Sequence, residues 1–165
     1  MSGWAKRLEI ATNIAILCAI LLVAALAVKR LREPSQPALH QPTVGERVSL
    51  HGVDWSKSGK NLILALSTQC RFCSESAGFY QRLVPSALSS GVQVVAVLPQ
   101  PVSDSSSYLQ KLGVKVPEIL QSPLDSVEVS GTPTLLVVDR HGRIQQAWVG
   151  KLRPDLEDQV VASLR

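Results

Sequence analysis

Residues 61–73 read NLILALSTQCRFC, a short apolar run that ends in a polar turn and then in two cysteines separated by two residues. The run 61–68 is rich in branched side chains and bounded by polar residues, which predicts a buried central strand. Residues 74–88 follow with Phe79, Leu83, Val84 and Leu88 at helical spacing, with Pro85 expected to kink or shorten that helix. A CxxC placed between strand and helix puts its first thiol at a helix amino terminus. Unpaired N–H groups and the positive end of the helix dipole there favour a thiolate, so Cys70 reads as a nucleophile. One helical turn sets the second sulfur beside the first, so Cys73 reads as the thiol that resolves a mixed disulfide on Cys70. Two other readings of the pair remain, a zinc site and two unrelated cysteines. Zinc needs two more ligands, and His40, His51 and His141 show no paired spacing, so no metal site is assigned.

Outward from this stretch, residues 92–98, VQVVAVL, form a second apolar run, and strand, helix, strand implies a right-handed parallel crossover. A second helix is expected over 103–112, capped by Ser103-Asp104, and a helical turn over 124–129. Residues 134–138, TLLVV, read as a strand that turns through Asp139-Arg140-His141-Gly142 into an antiparallel partner over 143–149. Pro154 opens a last helix with Leu156, Val160, Val161 and Leu164 on its apolar face. The pattern is mixed α/β, with the folded domain over 44–165, and it contains no internal repeat and no glycine-rich phosphate loop.

Upstream of the domain, residues 10–28 read IATNIAILCAILLVAALAV, nineteen residues without a charge, enough to span about 28 Å as a helix. After a short flank at 1–9, this is expected to be one transmembrane helix. Ala25-Leu26-Ala27 also fits the small-x-small pattern of a signal cleavage site. It lies inside the apolar run with no polar region before it, which favours an uncleaved anchor. Cys18, within the run, reads as a small apolar residue. Lys6 and Arg7 precede the helix while Lys29, Arg30 and Arg32 follow it, a balance that leans slightly against export of the domain. Residues 29–43 contain Pro34, Pro37 and Pro42 and read as an extended linker.

With 165 residues the chain has room for one domain of average size. Of its formal charge of +4, the first 35 residues carry +3, leaving the domain nearly neutral. That balance, with 4% aromatic residues, excludes a basic nucleic-acid face and stacking platforms for single strands. Three cysteines are too few for a disulfide framework.

Gly131-Thr132-Pro133-Thr134, just before the TLLVV strand, sets a proline at a strand start in a glycine-flanked turn, a candidate cis peptide. With CRFC, GTPT and the VVDRHGRI hairpin followed by Gly150, the chain resembles the thioredoxin-like proteins. It is most similar to the membrane-anchored TlpA/ResA-like class of thiol-disulfide oxidoreductases. The resemblance covers residue 44 to the carboxyl terminus and includes the amino-terminal anchor. It implies a thioredoxin-like α/β fold, a mixed central sheet flanked by helices. It also implies that Pro133 packs against the active-site disulfide, and that Thr132 offers backbone groups to an extended substrate segment.

The chain departs from that pattern in several places. Gln69 stands where a tryptophan is usual before the first cysteine, and Phe72 where a proline is common before the second. Leu64 and Ser76 occupy positions at which relatives carry an acid, so no proton acceptor for Cys73 is identified. Arg71 places a cation beside Cys70 that favours the thiolate unless it pairs with Glu75, and Glu75 itself complements the helix dipole. A peroxiredoxin reading fails, because Thr68 lacks the accompanying proline and the second thiol is too near.

The expectation is a membrane-tethered thiol-disulfide oxidoreductase whose domain faces the periplasm or its equivalent, where disulfides persist. Its partners would be protein thiols and disulfides and a membrane redox protein that resets the pair, with no nucleic acid and no cofactor. The alternative is a binding module or Cu(I) metallochaperone that uses the same two thiols.

Overall fold

The structure, a computed structural model, describes residues 42–164 together with Trp4, Ile16, Leu17, Ala19 and Ile20. Those five amino-terminal residues are helical and exposed. Most of the 10–28 segment, with Cys18, and most of the 29–43 linker lie outside the described residues. Among the described residues, no helix is long and apolar enough to cross a membrane.

The folded unit is built on a five-stranded sheet. β1 (Lys60–Ala65) lies between β2 (Gln93–Leu98), parallel to it, and β4 (Thr134–Asp139), antiparallel. β3 (Glu118–Gln121) and β5 (Ile144–Val149) form the edges, giving the order β3-β2-β1-β4-β5. Because successive side chains of a strand point to opposite faces, an unbroken apolar run supplies two cores at once. Leu62 and Leu64 face one side of the sheet with Val94, Ala96 and Leu98. Ile63 and Ala65 face the other with Val95 and Val97. A fully buried leucine contributes about 2 kcal/mol relative to an exposed one, which is why this run takes the centre of the sheet.

On the first face pack α1 (Arg71–Glu75), α2 (Ala77–Ser89), α3 (Val102–Lys111) and α4 (Pro154–Ser163). They contribute Cys73, Phe79, Tyr80, Leu83, Val84, Ala87, Leu109 and Val160 to its core. The second face is closed by Val48, Leu50, the 3-10 helix Trp55–Lys57 and a second 3-10 helix, Leu124–Val127, inside the stretch expected to be a helical turn.

Four expectations change. The single helix over 74–88 is two helices that meet at Ser76, where φ is −90° and ψ is 4°. The Ser76 hydroxyl donates back to the Phe72 carbonyl at 2.9 Å, competing with the helical ladder. Pro85 lies inside α2 and does not shorten it, since the helix continues to Ser89. Ser103-Asp104 does not cap α3; Pro101 is the capping position, and its carbonyl accepts the Ser105 N–H at 2.9 Å. β3 is a strand the sequence pattern does not mark: three half-buried residues and the exposed Gln121 become a strand by pairing with the free edge of β2.

The 139–142 turn forms as its residues suggest. Asp139 Oδ1 accepts the N–H groups of His141 and Arg143 at 2.8 and 3.0 Å. Gly142, at φ 74°, takes the left-handed conformation that favours glycine.

Candidate dithiol site

Parallel pairing brings the carboxyl ends of β1 and β2 to the same edge of the sheet, and the chain leaves β1 there. The Leu66 N–H donates to the Val97 carbonyl at 3.0 Å, and a turn over 67–69 closes when the Cys70 N–H donates to the Ser67 carbonyl at 3.1 Å. Cys70 is the amino-terminal cap of α1, with extended φ of −88° and ψ of 114°. Its carbonyl accepts the N–H groups of Cys73 at 3.2 Å and Ser74 at 3.4 Å. Both thiols are free, Cys70 half-buried and Cys73 fully buried.

The two sulfurs have opposite acidities. Burial pushes the Cys70 thiol up, but hydrogen bonds from the Thr132 side chain, the Cys73 thiol and the N–H groups of Cys73 and Phe72 outweigh it, leaving Cys70 below its ordinary value. α1 has only five residues, so these local donors account for the effect rather than a long helix dipole. The Cys70 Sγ also donates to the Thr132 carbonyl at 3.2 Å. That contact favours the thiol and must be given up when Cys70 ionises. Cys73 is pushed up to about 12, by burial first and then by the neighbouring Cys70, against a backbone hydrogen bond from Ser67 and one from the Thr132 side chain.

Thr132 arrives from the other half of the sheet. The Thr132-Pro133 peptide is cis, Pro133 is buried, and its carbonyl accepts the Gly150 N–H at 2.7 Å. Thr134 Oγ1, also buried, donates to the Gly131 carbonyl at 2.8 Å. Pairing of Thr134 with Ala65 sets this loop at the edge from which Cys70 projects.

Arg71 and Glu75 sit on the rim. Arg71 Nε meets Glu75 Oε1 at 2.6 Å and Lys151 Nζ meets Glu75 Oε2 at 2.9 Å. These cations, Lys151 before Arg71, hold the Glu75 carboxyl below the usual carboxylate range. Arg71 thus spends its charge on Glu75, and Glu75 is a committed ion-pair partner rather than a base for Cys73. Leu64 is buried in the sheet and Ser76 hydrogen-bonds to the backbone, so neither position supplies an acid. Phe72, between the cysteines, is 53% exposed.

The sequence reading missed several neighbours of the dithiol. Tyr108 Oη lies 3.1 Å from Ser74 Oγ. The Gln100 amide meets Thr68 N at 3.3 Å and Ser67 Oγ at 3.1 Å. Gln100 could have been found from the parallel pattern, since a polar residue just past the second strand must lie beside the end of the first. Nothing in the local sequence foretold Lys151.

His141 is remote from the sulfurs. β4 starts at the dithiol edge with Thr134 and reaches Asp139 five residues on, about 17 Å of strand, so the hairpin turn lies at the opposite edge. Among the described residues, no group of three or more His, Cys, Asp or Glu side chains is placed to hold a metal ion.

A five-stranded mixed sheet, a dithiol at a helix start and a cis-proline loop facing its first sulfur together make a thioredoxin-like fold. Solved structures share it. A protein assigned as the thiol:disulfide interchange protein DsbE of Chlorobium tepidum aligns with a TM-score of 0.56 and 22% identity, over 78% of this chain and all of that one. StoA of Bacillus subtilis aligns with a TM-score of 0.56 and 15% identity over the same shares. A secreted disulfide oxidoreductase of Mycobacterium tuberculosis, homologous to DsbE of E. coli, aligns with a TM-score of 0.52 and 16% identity, over 66% of this chain and 84% of that one. At these identities the likeness is one of fold. No protein-family model matches the chain, and no curated protein matches it in sequence.

Proposed function

We propose that this chain is a membrane-tethered thiol-disulfide oxidoreductase that exchanges disulfides with protein substrates through Cys70 and Cys73. The observation that carries this reading is the asymmetry of the pair: an accessible thiol held below its ordinary pKa beside a buried one pushed up to about 12. In the reducing direction the Cys70 thiolate attacks a substrate disulfide, forming one S–S bond and expelling one substrate thiolate. Cys73 then gives up its proton and attacks the Cys70 sulfur, expelling the second substrate thiolate and leaving a Cys70–Cys73 disulfide. Two electrons pass to the substrate, and the reverse sequence oxidises a dithiol. In this reading the backbone of Thr132, ahead of Pro133, pairs with an extended segment of the substrate. The names of the structures that share the fold agree with this chemistry.

Tethering is supported by the uncharged run 10–28 and by the exposure of Ile16, Leu17 and Ile20 on helical backbone. A tether confines the domain to partners near the membrane and raises their effective concentration. One such partner would be the membrane redox protein that resets the pair. Disulfide exchange is most useful outside the cytoplasm, where disulfides persist.

Purified full-length protein in its reduced form is expected to reduce a protein disulfide such as that of insulin, and Cys70→Ser to fall to the buffer rate. Tight Cu(I) capture in a competition titration, with no exchange, would replace this reading by metal delivery. For location, a membrane-impermeant maleimide added to cells with an opened outer envelope is expected to label Cys70. Labelling only after lysis of the inner membrane would place the domain in the cytoplasm.

A further inference from the structure

Gln100 follows Leu98-Pro99 at the end of β2 and reaches across to the turn that presents Cys70. Its amide oxygen accepts the Thr68 N–H at 3.3 Å, and its amide nitrogen donates to Ser67 Oγ at 3.1 Å. A backbone N–H can only donate, so the first bond fixes which end of the amide meets which partner. Ser67 Oγ also accepts the Gln69 N–H at 3.3 Å, which occupies both lone pairs of that hydroxyl. Gln100 is held in turn, because its own carbonyl accepts from the fully buried Ser105 hydroxyl at 3.2 Å in the first turn of α3. One side chain, anchored on α3, therefore fastens the turn at both Ser67 and Thr68.

Both sulfurs depend on that turn. The Ser67 carbonyl takes the Cys70 N–H at 3.1 Å, which sets Cys70 at the head of α1. The backbone of Ser67 also hydrogen-bonds to the Cys73 thiol. We infer that Gln100 is a positioning residue for the dithiol: by binding Thr68 and Ser67 together it fixes the turn from which Cys70 and Cys73 are placed. Through that placement it governs how readily Cys70 becomes a thiolate. The inference rests on the reading of Cys70 as the attacking thiolate. It adds a residue from the loop between β2 and α3, one that touches neither substrate nor sulfur.

The test is the pH dependence of Cys70 alkylation by iodoacetamide in the reduced full-length protein, followed by mass spectrometry. Gln100→Met preserves the length and stem of the side chain but makes neither hydrogen bond. Its alkylation midpoint is expected to rise by about half a pH unit, roughly a threefold smaller thiolate fraction below the midpoint. Its equilibrium with glutathione should shift towards the disulfide by a similar factor. Ser67→Ala removes the hydroxyl that Gln100 grips while keeping the Ser67 backbone. It should produce a shift in the same direction, and the double variant should shift by less than the sum. A midpoint unchanged in Gln100→Met, or fully additive shifts, would overturn the role of Gln100. If Gln100→Met fails to fold, Ser67→Ala alone decides: an upward shift supports the role and an unchanged midpoint overturns it. A wild-type midpoint at the ordinary thiol value would instead sink the reading of Cys70, so the two failures are distinguishable.

Discussion

Cys73→Ser is expected to accumulate disulfide-linked adducts on Cys70 that a reductant dissolves on a gel, while Cys70→Ser accumulates few or none. The difference follows from where the two sulfurs sit. Cys70 reaches the surface and has donors from Thr132, Cys73 and Phe72 that favour its thiolate. Cys73 is fully buried, and with its thiol pushed up to about 12, the thiolate fraction at pH 7 is on the order of one in 100,000. Cys73 is still competent as a resolver. Part of its high pKa comes from the charge on Cys70, and that part disappears once Cys70 is tied up in a mixed disulfide. Its position within the same helical turn replaces a bimolecular encounter. Without Cys73, release must wait for a thiol from solution, and turnover should fall by at least about a hundredfold. Alkylation gives an independent check, since iodoacetamide should modify Cys70 at a lower pH than an ordinary thiol and leave Cys73 untouched. Equal trapping by the two variants, or faster alkylation of Cys73, would reverse the roles.

Much of this site was legible because strong local signals agree with one another. An apolar run that ends in CxxC fixes a central strand with thiols at its carboxyl end. GTPT ahead of TLLVV marks the cis-proline loop, and pairing of that strand beside β1 brings the two together. Features that arise from tertiary pairing were not legible. β3 is a strand because β2 offers it a free edge, not because EILQ carries a pattern. The break between α1 and α2 depends on one serine hydroxyl bonding back to Phe72. Arg71 and Glu75 are four residues apart on a helix, so their pairing was foreseeable. Lys151, which joins them from 76 residues further along the chain, makes Glu75 a counter-ion shared by two cations. The helix-dipole account of Cys70 pointed in the right direction, but the donors that favour its thiolate are particular groups, one of them a side chain 62 residues away.

The reduced protein is expected to lose stability at alkaline pH more steeply than either its disulfide form or Cys73→Ser. Cys73 has an ordinary pKa of 9.0 and is pushed up to about 12 in the folded state, by burial first and by Cys70 second. For a group raised on folding, the folded state holds the proton more tightly, so its contribution is fully present below pH 9 and is lost as pH rises towards 12. At pH 11 the unfolded thiol is two units above its pKa while the folded one remains largely protonated. At about 1.4 kcal/mol per unit this removes about 3 kcal/mol, a large part of the 5–15 kcal/mol typical of a domain. Urea unfolding at pH 8 and pH 11 with a reductant present should therefore bring the reduced wild type and Cys73→Ser closer together by about that amount. Tyr80, whose buried hydroxyl is pushed up by burial first and in part by Cys73 and Cys70, ionises in both proteins and separates them only through its coupling to Cys73. Wild type kept oxidised, with neither Cys70 nor Cys73 left to ionise, should follow the shallower slope. Parallel pH curves for reduced wild type and Cys73→Ser would mean that Cys73 is already solvated in the folded protein, and the division of labour between the two sulfurs would fail with it.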